Sequence, residues 1–123
     1  MADFEILDVD TPHERREFDK GRLDVINLPG AVLGRATLEP GWRWSECVKP
    51  IAKTDSCQAP HTGYVVSGKL HIVMDDGSET DVGGGEAYHI PPGHDAWVVG
   101  DEPYVGLDFT GADNFAKRET MRG

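Results

Sequence analysis

Short apolar runs, each closed by glycine or proline, follow one another along most of this chain. RLDVINL stops at Pro29-Gly30 and AVLGRATLE at Pro40-Gly41. TGYVVSG passes through Gly68 into KLHIVMD, and EAYHI ends at Pro91-Pro92-Gly93. Glycine weakens a helix through backbone freedom, and proline removes an N–H and clashes with the preceding turn. With 15 glycines and 8 prolines in 123 residues, long helices have little room. Strands tolerate such spacing, since a typical strand needs only about five or six residues. The pattern predicts roughly nine or ten short strands in one all-β sandwich or barrel rather than βαβ units.

The segments between these runs carry further expectations. Thr11-Pro12-His13-Glu14 has the form of a capping box, with Thr11 as cap and Pro12 at the first position of a helical turn. GWRWSECVK follows Pro40-Gly41 as a strand, with Trp42, Trp44 and Glu46 on one face and Arg43, Ser45 and Cys47 on the other. PIAKTDSCQAP is a loop or broken strand. Asp75-Asp76-Gly77-Ser78 is a hairpin turn, because Asp-Gly accepts positive φ. SETDV, DAWVVG and PYVGLDF complete the strands, and GADNFAKRETM is expected to be a short C-terminal helix. There is no internal repeat or linker, so residues 1–123 form a single domain.

Charge narrows the partners. The formal net charge is −10, from 22 acidic and 12 basic residues. Such a surface repels a phosphate backbone, which argues against nucleic acid. No apolar run is long enough for a membrane span. MADFEILDVD lacks the basic and apolar halves of a secretory signal, so a cytoplasmic protein is expected. Gly83-Gly84-Gly85 precedes a strand rather than a helix, so it is no phosphate cradle, and no nucleotide cofactor is expected. In that compartment Cys47 and Cys57 are expected as free thiols or ligands, although a bridge across a hairpin is sterically conceivable.

The phrases PGWRWSEC, YVVSGKL and GGEAYHIPPGHDAW resemble the two motifs of the cupin superfamily, over about residues 41–68 and 85–97. The resemblance implies a small, single-domain jelly-roll β-barrel that is often a homodimer. Position by position it keeps the architecture and alters the ligands. Counting from Gly41, Cys47 stands where the family has its first histidine and Lys49 where it has the second. Counting back from Gly68, His61 replaces the family's glutamate, and PIAKTDSC looks like an insertion. Gly85, Pro91 and Gly93 match motif two, whose histidine position falls on Ala96. A shortened turn would bring His94 there instead.

The candidate metal ligands are therefore Cys47, His61 and His94, with Cys57 as a fourth. Thiolate and imidazole together suit zinc, with copper, nickel or iron behind it. The competing readings are a buried cysteine as a small hydrophobe, His61 as a hydrogen-bonded core residue and His94 as a turn cap. His13, His71 and His89 are expected at the surface or an interface. Asp95 follows His94 on a strand and points to the opposite face. Trp42, Trp44 and Trp97, with Lys49 and Ala96, are candidates for a pocket, against the alternative of core or interface packing. Gly63 shares the inward parity of His61 and is expected to leave a hollow beside it. The leading functional reading is a small-molecule-binding cupin in which a divalent metal supports oxygenase, isomerase or lyase chemistry. The alternatives are a metal-free protein that binds or senses a metabolite without catalysis, and a dimeric scaffold with a packed interior.

Overall fold

The computed structural model describes residues 4–110. Nine strands and two short helices follow in the order β1 (Glu14–Phe18), β2 (Gly21–Leu28), β3 (Ala31–Leu38), α1 (Trp44–Cys47), α2 (Lys49–Ala52), β4 (His61–Ser67), β5 (Lys69–Met74), β6 (Glu79–Gly83), β7 (Ala87–Ile90), β8 (His94–Val98) and β9 (Tyr104–Thr110). They form a six-stranded sheet in the order β1-β2-β3-β9-β4-β7 and a three-stranded sheet in the order β6-β5-β8. Every pairing is antiparallel. Among the described residues no helix is long and apolar enough to cross a membrane.

Alternation sets what faces the core. In β4, His61, Gly63 and Val65 are buried, whereas Thr62, Tyr64 and Val66 are exposed. His94, Ala96 and Val98 point inward from β8, as do Tyr104, Gly106 and Asp108 from β9. These inner faces meet Trp42, Trp44, Val48, Leu70 and Ile72 in the main core.

Two local expectations are corrected. Residues 14–18 are a strand, not the end of a capped helical turn, because Glu14 to Phe18 pair with Val25 to Gly21 along the edge of β2. The turn comes earlier, where Thr11 N donates to Asp8 O at 3.0 Å. GWRWSECVK is mainly helical. From Trp44 to Val48 the buried residues are Trp44, Cys47 and Val48, a spacing of three and four that a helix puts on one side. Pro50 is accepted at the start of α2, and Lys53, at φ 61°, ends it. The C-terminal helix expected in GADNFAKRETM lies outside the described residues.

Gly63 leaves no hollow. A Cβ there would collide with the Leu107 carbonyl oxygen and come within 2.6 Å of the Tyr88 hydroxyl. Tyr88 is the cross-strand neighbour of Gly63, so its ring occupies the space that the missing side chain releases. On the β1-β2-β3 side, Asp24 is fully buried and bonded to Arg15 at 2.6 Å and Arg35 at 2.9 Å, its neighbours across the two adjacent strands. Burial pushes its carboxyl up, but the hydrogen bonds and charges of Arg15 and Arg35 outweigh this and hold it below the usual value.

Gly63→Ala is expected to lower stability by about 3 kcal/mol, because the backbone of β9 blocks the new methyl group; a denaturant midpoint close to that of the parent would contradict this. Removing one partner of a buried ion pair costs about 3–5 kcal/mol. The arginines around Asp24 retain some solvent contact, so Asp24→Asn is expected to cost nearer ~2 kcal/mol. Because this carboxyl titrates lower in the folded protein, its contribution is present above the ordinary carboxylate value and is lost as pH falls through the folded value. Urea melts of parent and variant should lie closer together at pH 3 than at pH 7.

Candidate metal centre

Three chain segments deliver the side chains of the site. His61 opens β4 on its inner face, paired with Ile90 of β7. His94 opens β8, paired with Met74 of β5. Cys57 lies outside any strand but is tied to the turn before β8. Its N–H donates to His94 O at 2.7 Å, and its own carbonyl accepts from Gly93 N at 2.7 Å. Gly93 adopts φ +92°, and a Cβ there would approach the Asp75 carboxylate to 2.9 Å. The glycine of Pro-Pro-Gly is therefore needed both for the turn and for the close approach of Asp75.

Cys57, His61 and His94 are all buried, and their ligand atoms lie within 4.8 Å of one another. The Cys57 Sγ is 3.7 Å from His61 Nε2. Metal–sulfur and metal–nitrogen bonds of about 2.3 and 2.05 Å at a tetrahedral angle place the two ligand atoms about 3.6 Å apart. The observed spacing is already close to that. The imidazole rings meet edge to face, with centroids 5.4 Å apart.

The far side of each ring is also fixed. His61 Nδ1 meets Asp108 Oδ2, and Asp108 Oδ1 accepts from Thr110 N at 3.0 Å. His94 Nδ1 donates to Pro91 O at 2.8 Å. With both Nδ1 atoms engaged, Nε2 is the nitrogen each ring offers to the cluster. Metal-ligating histidines are oriented in the same way, by a carboxylate or a carbonyl on the second nitrogen.

The charges respond to this enclosure. Burial pushes the Cys57 thiol up, but hydrogen bonds and charge from His61 and His94 outweigh it and lower its pKa to about 6. Burial pushes His61 down, but Asp108 and then Cys57 raise it to about 9. Without a metal the pair is a thiolate and an imidazolium at neutral pH. Nearby, burial pushes Tyr104 up to about 12 and Tyr88 higher still, so both phenols stay neutral.

Cys47 is not part of this cluster. Its place in α1, rather than on a strand, turns its sulfur to the Asp19 carboxylate, 3.8 Å away, and burial pushes its pKa up. Both cysteines are free. The expected pocket residues do not converge either. Trp42, Trp44 and Ala96 are packed into the core. Lys49 is half exposed, with Nζ 3.9 Å from Asp55. Trp97 faces outward beneath Arg43, at 3.9 Å, and beside His71, at 4.8 Å. His71 bonds Asp81 and Glu79, His89 bonds Thr62, and His13 accepts from Asn27 N. Asp95 accepts from Ser45 N instead of pairing with His94. Asp108 is the functional residue that sequence reasoning missed. Its signal was an acid at the inward parity of an otherwise apolar strand, PYVGLDF.

No protein-family model and no curated protein matches the chain. Solved structures do. A double-stranded β-helix protein from Klebsiella pneumoniae is 20% identical, with a TM-score of 0.56, covering 89% of this chain and 86% of its own. The cupin domain of Schizosaccharomyces pombe Cnp3 is 13% identical, with a TM-score of 0.54, covering 79% and 68%. The oxalate decarboxylase of Lactobacillus farciminis is 18% identical, with a TM-score of 0.58. That match covers 83% of this chain but only 32% of the decarboxylase. Two antiparallel sheets and these neighbours together identify the fold: the chain has a cupin-like double-stranded β-helix fold.

Proposed function

We propose that this protein binds one divalent metal, zinc first, through Cys57, His61 and His94, and uses it on a small molecule. The observation that carries this reading is that two imidazoles, each anchored through Nδ1, turn their remaining nitrogens toward one thiol. Three protein ligands leave one position of a tetrahedral ion for water or an oxygen-bearing ligand. A metal held there supplies Lewis acidity. The chain's own residues do the rest. Asp108 fixes the ring of His61 and balances charge, and Pro91 fixes His94. Enclosure by the core excludes bulk water and strengthens each of these interactions. Tyr88 and Tyr104, neutral beside Asp108, add no competing charge.

A second reading rests on the order Cys57–His61–Asp108, which is that of a nucleophilic thiol, a base and an orienting carboxylate. It has the 3.7 Å sulfur–nitrogen approach in its favour. It has against it the near-complete burial of Cys57, which is 3% exposed and leaves an incoming electrophile little access.

Protein purified without a histidine tag and dialysed against zinc under reducing conditions should hold one zinc per chain by elemental analysis. Cys57→Ser and His94→Ala should abolish stoichiometric uptake, and Asp108→Asn should weaken affinity about 10- to 100-fold. Absence of zinc, together with rapid alkylation of Cys57 by iodoacetamide at pH 7, would favour the thiol reading instead.

Metal competes with protons for these ligands, so affinity is expected to rise with pH and level off above about 9, where His61 is neutral. Between about 6 and 9 the Cys57–His61 pair should release one proton per metal, from His61, and below about 6 a second, from Cys57. Calorimetry in buffers of different ionisation enthalpy counts them. A proton count that stays flat from pH 5 to pH 10 would show that this pair is not the ligand set.

A further inference from the structure

Residues 4–10, FEILDVD, precede the sheets as an arm outside any strand. The arm alternates apolar residues with acids, and its apolar side chains are not put away. Phe4 and Ile6 are 83% and 90% exposed, and Leu7 is exposed as well. Single apolar residues on a surface are ordinary, whereas a run of them marks a contact. The root of the arm is fixed. Asp10 pairs with Arg35 at 3.0 Å, and Thr11 N donates to Asp8 O at 3.0 Å.

Arg35 stands on the outer face of the six-stranded sheet. One row of cross-strand neighbours runs along that face, in the order Arg15, Asp24, Arg35, Leu107, Tyr64 and Ala87. Arginines hold the β1-β2-β3 end of the row and apolar residues the β9-β4-β7 end. At the apolar end Tyr64, Val66 and Phe109 are all exposed. The opposite face of the same strands already supplies the core, through Val65 and Tyr104. A sheet with one solvated face alternates apolar and polar residues. β4 and β9 instead carry apolar residues on both faces.

Arm and face match in chemistry. The arm offers Phe4 and Ile6 with Glu5 and Asp8. The face offers its apolar end and, beyond it, the partly exposed Arg15 and Arg22. In a chain with a formal charge of −10, an arginine-bearing face is where an acidic segment of another copy meets attraction. The arm does not lie on its own sheet, since Phe4, Ile6 and Tyr64 all stay exposed. Six extended residues reach about 20 Å, or about four strand spacings, enough to cross the apolar end of a facing sheet. A two-fold axis makes each such contact twice, which brings a short arm toward the roughly 1,200–2,000 Å² of a stable interface.

We propose that residues 4–9 dock on the apolar outer face of β9 and β4 in a second copy of this chain, and that the second copy's arm docks in return. Phe4 and Ile6 cover Tyr64, Val66 and Phe109, while Glu5 and Asp8 lie toward the arginines. This contact is independent of the metal centre, because His61 faces the other side of the sheet.

Sedimentation of the full chain over a range of concentrations should show a monomer–dimer equilibrium. Ile6→Ser and, separately, Tyr64→Lys should each raise the dimer dissociation constant about 100-fold, because each change acts at both copies of the contact. Both positions are exposed, so the circular dichroism of the diluted protein should match that of the parent. A photo-reactive Ile6→benzoylphenylalanine variant, prepared as a mixture of heavy- and light-isotope chains, separates the two places the arm could lie. Cross-links from a heavy chain to β4 or β9 of a light one are expected. A monomer at every concentration, a dimer that survives both substitutions, or cross-links confined to single chains would overturn the proposal, and the last of these would put the arm on its own sheet.

Discussion

The paired hydrogen bonds between Cys57 and the Gly93–His94 backbone are what the centre depends on. Cys57 follows a loop that the sheets do not organise, and proline stands between it and β4. Left to its own segment, the thiol would have no fixed direction. Bonding in both directions to the residues that begin β8 gives it the precision of a strand residue without a strand. The turn that makes this possible needs Gly93, because a side chain there would push Asp75 away. Asp75 is not idle in this arrangement, since its carboxylate accepts from the Ser56 hydroxyl at 2.9 Å, next to Cys57. One glycine thus bears on the thiol, the second histidine and the loop between them.

Much of the fold was legible because period-two burial and glycine–proline boundaries are local properties. β2 through β9 fall where apolar alternation places them. The stretch around Trp42 to Lys49 was not legible in the same way. Its alternation of tryptophans mimics a strand, and only the burial of Trp44, Cys47 and Val48 together shows helical spacing. That difference decides which cysteine belongs to the site. On a strand, Cys47 would have taken the first ligand position implied by the cupin resemblance; on a helix it faces Asp19. The thiol near His61 comes instead from the inserted segment. β1 was missed because ERREF carries almost no apolar signal and exists as a strand through its pairing with β2.

Glycine at an inward position has two opposite outcomes, and the sequence alone does not separate them. Gly63 was expected to open space, but Tyr88 covers it from the neighbouring strand. The same device recurs in β9, where the Tyr104 hydroxyl lies close over Gly106. The hydroxyl ends of two tyrosine rings occupy the space that these glycines release inside the barrel. The indole N–H groups of Trp42 and Trp44 are enclosed there without a partner among the described residues, a cost of about 1–3 kcal/mol for each such group. A filled middle leaves polar groups to the end of the barrel, where Cys57, His61 and His94 meet.

Two buried carboxylates show how differently the two ends of this molecule treat charge. Asp24 is met by arginines, whose charge does not change over any ordinary pH, so that constellation is a fixed part of the fold. Asp108 is met by His61, which is met in turn by Cys57, and both of these titrate within a few units of neutrality. The second chain also crosses a boundary that the first does not. His61 belongs to the six-stranded sheet, His94 to the three-stranded sheet, and Cys57 to the loop that joins α2 to β4. A metal bound to all three would fasten the two sheets and the loop at one point, and its binding free energy would add to the stability of the whole domain by mass action. In its absence the same point is held by a thiolate and an imidazolium, whose attraction weakens as soon as either proton moves. With a metal bound, the site would therefore also be a mechanical joint of the barrel, and its occupancy and the stability of the domain would be a single linked equilibrium.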